Sequence, residues 1–171
     1  YRNALLVEQP NGDFGQTLMR QFLFDAWHLP MLRGLMASAD KRIADIAEKA
    51  AKEVSYHLER STDMVVRLGD GSAESHRRMQ AALDLLWPYS GELLIADEVD
   101  RAAADAGPAP LPDDLRPAWE AHVDATLGQA TLTKPENPYM HRGGKRGVHS
   151  EHLGYILAEM QFLQRAYPGA Q

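Results

Sequence analysis

The sequence predicts an all-α protein, a bundle of antiparallel helices. Three observations carry that expectation. Apolar residues recur at helical spacing over several long stretches. The connections between those stretches are short, which makes consecutive helices antiparallel neighbours. No stretch alternates apolar and polar residues as a half-buried strand does, and no internal repeat or low-complexity tract interrupts the pattern.

Taken in order, Ala4-Leu5-Leu6-Val7 is a short apolar run, and Pro10-Asn11-Gly12-Asp13 is turn chemistry. Asp13 fits an N-cap for a helix from Phe14 to about Met36, with Leu18, Phe22, Leu29, Leu32 and Leu35 in phase. Pro30 lies inside that pattern and is expected to kink or split the helix near Trp27-His28. Asp40 caps the next helix, to about Leu68. Its expected inner stripe is Ile43, Ile46, Ala50, Val54, His57, Ser61, Val65 and Leu68. Gly69 and Asp70-Gly71 end it. Ser72 or Ser75 opens a third helix, interrupted at Trp87 to Gly91 and expected to continue to about Ala104 through Ile95, Val99 and Ala103. Gly107 to Pro112 is a proline-rich loop. Asp113 or Asp114 then caps a helix from about Leu115 to Leu127, with Trp119 and Val123 inward. Thr131 to Gly147 reads as a structured loop. Ser150 begins a last helix through Leu153, Ile156, Leu157, Met160 and Leu163, which Pro168-Gly169 ends.

At 171 residues, one domain spanning 1–171 is the expectation, and the apolar share of 44% is ordinary for a globular chain. The absence of cysteine excludes disulfides, thiolate metal sites and a thiol nucleophile, and suits the cytoplasm. A net charge of -6 argues against nucleic acid or an anionic membrane as the main partner. No apolar run is long enough to span a membrane. The chain begins at Tyr1 rather than Met, so a processed or truncated chain is an open expectation.

The candidate chemistry centres on Val54-Ser55-Tyr56-His57. A Glu at position 54 would complete the Glu-x-x-His spacing with which helical bundles hold a pair of metal ions. Valine supplies no donor there, so the stretch reads as the remnant of a metal site in a chain that keeps the bundle and has lost the chemistry. Asp25 falls on an apolar face, where a carboxylate is costly unless paired or metal-bound. Either a neighbouring polar group or a metal answers that demand. His57 is either a satisfied inward histidine oriented by Glu53 or a ligand. His28 follows Asp25 at Asp-x-x-His spacing, beside the disruptive Pro30. The loop His141-Arg142-Gly143-Gly144-Lys145-Arg146-Gly147 concentrates positive charge. Arg142, Lys145 and Arg146 either meet phosphates, such as those of coenzyme A, or dock the loop on an acidic face of a partner or of this chain. His149 and His152 flank Glu151, where solvated helix-end residues and a surface metal cluster both fit. No Gly-rich nucleotide loop, Gly-x-Ser-x-Gly or His-Glu-x-x-His is present.

Several runs resemble one family. They are Leu5-Leu6-Val7-Glu8-Gln9-Pro10-Asn11-Gly12, Phe24-Asp25-Ala26-Trp27-His28, Lys52-Glu53-x-x-Tyr56-His57 and Ala118-Trp119-Glu120-Ala121. Two more, both specific, are Gly143-Gly144-Lys145-Arg146-Gly147-x-His149-x-Glu151-His152-Leu153-Gly154 and Ala158-Glu159-Met160-Gln161-x-Leu163-Gln164-Arg165. Together they are similar to the C-subunit family of bacterial phenylacetate-CoA oxygenase, the ring-1,2-phenylacetyl-CoA epoxidase. The resemblance covers nearly the whole chain. It implies a ferritin-like bundle, lacking the family's first helical pair, and a structural, non-catalytic subunit of a cytoplasmic hetero-oligomer. The implied partners are a catalytic A subunit, a small B subunit and a reductase drawing on NADPH. No cofactor is implied for this subunit, and the diiron centre is expected in the A subunit. By the resemblance, the degenerate site positions are Asp25, Glu53, Val54 and His57. Without the first helical pair, much of the Asp25 and His57 face is expected to lie open.

Overall fold

The computed structural model describes residues 1–107, 109–136 and 138–169. Among them every regular element is helical. The helices are α1 (Phe14–Leu35), α2 (Lys41–Gly69), α3 (Ala73–Leu86), α4 (Glu98–Ala106), α5 (Arg116–Gln129), α6 (His152–Met160) and α7 (Phe162–Ala166). Helix α1 is the central one: it packs against α2 and α3 and also touches α5. The connections Met36–Asp40 and Asp70–Ser72 fold the first three helices into an up-down-up bundle, the ferritin-like arrangement expected.

Local chemistry explains the helix starts. Asp13 accepts the Gln16 N–H at 2.9 Å, Asp40 the Arg42 N–H at 2.8 Å, and Ser72 the Ser75 N–H at 3.2 Å. Each satisfies an otherwise orphaned first-turn amide. The main core joins Met19, Phe22 and Leu23 of α1, Val65 of α2, Leu83 and Leu86 of α3 and Val123 and Leu127 of α5. Trp119 is buried as expected, and its indole N–H donates to the Leu23 carbonyl at 3.0 Å. A smaller cluster of Leu29, Leu32, Ala47, Ala51 and Val54 fills the other end of the α1–α2 pair.

Five expectations are corrected. Helix α1 runs unbroken through Pro30. Leu29 and Leu32, on either side of it, are buried against α2, and two such side chains contribute about 3–6 kcal/mol against about 3 for the proline. The third helix stops at Leu86. Short 3-10 turns at Trp87–Tyr89 and Gly91–Leu94 follow, then an extended Ile95. Helix α4 is a separate element capped by Asp97, buries no residue and leaves Val99 exposed. The buried stripe of α2 is Ala47, Ala51, Val54, Ser61 and Val65, while Ile43, Ile46 and His57 are exposed. Asp113 does not cap α5; a 3-10 turn at Pro112–Leu115 leads into that helix, and the Asp113 carboxylate accepts the Ala96 N–H at 2.9 Å. The last helical stretch breaks at Gln161 into α6 and α7.

Candidate functional site

Of the four positions expected to form a degenerate site, Asp25 of α1 and Val54 of α2 are buried within that helix pair, whereas Glu53 and His57 are exposed. Asp25 is 1% exposed, and its Oδ2 accepts the Gln21 side-chain amide one turn back at 2.8 Å. Burial pushes this carboxyl up; the Gln21 hydrogen bond and the charge of His57 oppose that shift. Val54 is buried and packs with Leu29, Leu32 and Ala51. His57 lies at the edge of the helix face with its side chain 49% exposed, and its Nε2 stands 3.9 Å from Glu53 Oε1. Glu53 points to solvent. His28 is half-buried against Phe24 and Trp27; burial, and then the charge of His57, lower its pKa. The expected open face is therefore found at His57 and not at Asp25.

A dinuclear carboxylate centre needs several oxygen donors from facing helices, each within bonding distance of a shared pair of ions. Here one donor position is aliphatic, one carboxylate faces water and the histidine turns outward. Among the described residues no three His, Asp or Glu side chains stand where they could hold an ion. The residues present do not fit a resident diiron group.

The basic loop is built differently. Lys145 Nζ donates to the Ile95 carbonyl at 2.9 Å and to the Asp100 carboxylate, with Asp97 at 3.9 Å. Its charge is thus engaged within the chain. Arg142 and Arg146 are exposed, and among the described residues neither has an ion pair. Gly143 and Gly147 adopt φ of +135° and +84°, which side chains strain to reach. A Cβ on Gly144 would stand 2.2 Å from the Asn3 carbonyl oxygen.

Two buried carboxylates behind this loop were not singled out from the sequence. Glu92 Oε1 accepts the Gly143 N–H at 2.7 Å, and Oε2 accepts the Leu5 N–H at 3.0 Å. Glu8, 1% exposed, accepts from Asn3 Nδ2, His149 Nδ1, Ser150 N and Ser150 Oγ, all at 2.7–2.8 Å. Burial raises its carboxyl pKa, but the bonds from Ser150, His149 and Asn3 outweigh burial and hold it below its ordinary value. The available signal was a lone Glu beside each of two apolar runs, Leu5 to Val7 and Leu93 to Ile95.

A family described as "Phenylacetic acid catabolic protein" matches residues 1–171. The chain is also 48% identical over 171 residues to the C subunit of the 1,2-phenylacetyl-CoA epoxidase of Escherichia coli (strain K12). That alignment covers all of this chain and 69% of the relative. This chain belongs to the phenylacetic acid catabolic protein family.

Proposed function

We propose that this chain is the non-catalytic, structural subunit of a multicomponent phenylacetyl-CoA epoxidase of aerobic phenylacetate degradation. It holds no metal of its own and stabilises a separate catalytic A subunit that carries the diiron centre. The small B and reductase subunits complete a cytoplasmic hetero-oligomer. The observation that supports this best is Val54. An aliphatic side chain packed on Leu29, Leu32 and Ala51 occupies the place where the bundle chemistry requires a carboxylate. The relative, by its name one subunit of an epoxidase, supplies the substrate and the setting.

Within this reading Arg142 and Arg146 are the loop cations free to meet the phosphates of coenzyme A or an acidic partner face, while Lys145 serves the fold. The test is to mix the chain with the catalytic A subunit. A scaffold co-elutes with it on size exclusion and raises its epoxidation rate; failure to do either ends the proposal.

A second reading has one observation in its favour. Asp25 stays buried in the field of His57, as a ligand of a metal site would. In that case the chain binds iron or manganese through Asp25, Glu53 and His57. Metal analysis after loading with ferrous iron separates the two: about two irons per chain, as in a dinuclear bundle site, would establish the second reading and end the first.

A further inference from the structure

Helices α6 and α7 bury no residue. Tyr155, Met160, Phe162, Leu163 and Tyr167 are all at least 60% exposed. Helix α6 meets the body of the molecule chiefly at the 3-10 turn Leu5–Glu8. Burial of apolar surface, the main force behind most helix docking, therefore does little to hold this pair in place. The strong contacts lie just ahead of it, in the loop. Glu92 accepts backbone N–H groups from Gly143 and Lys145 on one side of the loop and from Leu5 on the other. Glu8 accepts from His149 and from both the N–H and hydroxyl of Ser150. His149 Nε2 also faces the Tyr1 carbonyl at 2.9 Å. Both ring nitrogens thus stand against oxygens of the N-terminal segment. Asn3 N–H donates to the Gly144 carbonyl at 3.3 Å, which closes the contact from the N-terminal side.

We propose that residues 143–150 form a polar clasp, in which Glu92 and Glu8 bind the C-terminal helices to the bundle, and that its release frees α6 and α7 together while α1, α2, α3 and α5 stay folded. The clasp joins the segment carrying Asn3, Leu5 and Glu8 to the loop and to Glu92. It is polar throughout, so its strength resides in charge-assisted hydrogen bonds to two carboxylates that have almost no access to water. Such bonds are lost together once one carboxylate is neutralised, because the donors that converge on it are then left facing a weaker acceptor. The rest of the bundle does not depend on them: its core joins α1, α2, α3 and α5 and contains no residue of α6 or α7.

The test uses Glu8→Gln, Glu92→Gln and the double substitution in the full chain. Trypsin has sites in and beside the clasp at Arg142, Lys145 and Arg146. The double variant is expected to be cut there about 10- to 100-fold faster, the factor set by losing one or two charge-assisted bonds, with the melting transition of the bundle retained. Unchanged cleavage overturns the proposal, and so does loss of the whole fold in place of local release. Hydrogen exchange in the unsubstituted chain tests the same point without mutation. Amides of residues 152–166 are expected to exchange at least about tenfold faster than those of α1 and α3. Equal rates would show one cooperative unit and no clasp.

Discussion

Asp25→Asn offers the most direct probe of what the bundle interior now does. Asparagine keeps an acceptor oxygen for the Gln21 amide, so the 2.8 Å hydrogen bond is retained while the charge is removed and the other oxygen becomes an NH2 donor. Burial raises the Asp25 pKa above its ordinary value of 3.8. A raised carboxylate pKa means that the ionised form is penalised in the folded state. Below pH 3.8 the carboxyl is protonated in both folded and unfolded chains, and no penalty exists. As pH rises through the folded value, ionisation destabilises the fold, and the penalty is constant above it. The variant should therefore be more stable than the parent at pH 7, because the penalty on the buried charge is gone. For a chain of this size each 1 kcal/mol so gained raises the melting temperature by about 2–4 °C. Thermal melts of both proteins from pH 4 to pH 8 read it as a difference that grows with pH and then levels off. Taking the difference cancels the other titrating groups, provided they do not couple to Asp25. A loss of about 2 kcal/mol or more at pH 7 would refute the reasoning. It would mean that a cation or fixed donors hold Asp25 as an anion, as in a working metal site.

Three further outcomes are expected. Val54→Glu places an unpaired carboxylate against Leu29 and Leu32; urea denaturation should show a loss of several kcal/mol, and metal analysis after ferrous loading should find no pair of irons. Trp119→Phe removes the N–H that reaches the buried Leu23 carbonyl, which should cost about 1–3 kcal/mol in denaturant titrations. Glu8 acts with the opposite sign to Asp25: its lowered pKa contributes stability above its ordinary value of 4.5 that is lost as pH falls through the lower folded value, so acid titration should show a steeper fall for the parent than for Glu8→Gln.

The local grammar of the helices was readable because it depends on residues close in sequence. Asp13, Asp40 and Ser72 each cap the helix they precede, since a side-chain oxygen at that position meets the first-turn amides whatever the tertiary context. The phase of α2 was harder. Large aliphatics suggested a stripe through Ile43 and Ile46, but the helix buries the small Ala47 and Ala51 against α1, leaving Ile43 and Ile46 exposed. That choice turns His57 to the edge of the face and leaves Val54 inside. The continuation after Leu86 failed for a similar reason. Its residues stay in helical phase, yet Pro88 and Gly91 favour turns, and the Glu92 carboxylate gains more from the amides of Leu5, Gly143 and Lys145 than a helix would offer it. Those partners lie 51 to 87 positions away along the chain, so no local pattern reveals them.

Positions 25 and 54 meet the interior of the α1–α2 pair on different terms, and the difference has a physical basis. At position 54 an unmetallated carboxylate would lie against leucines with no donor beside it, at a cost of several kcal/mol; valine turns the same volume into packing worth about 1.5 kcal/mol or more. At position 25 the carboxylate has Gln21 one turn back and the charge of His57 nearby, so its cost is partly offset and replacing it gains little. An aliphatic residue is favoured where nothing satisfies the oxygen, and a polar one persists where something does. On this argument the interior of the α1–α2 pair follows ordinary rules of core stability, which a dinuclear site, with several carboxylates held in one core, has to work against.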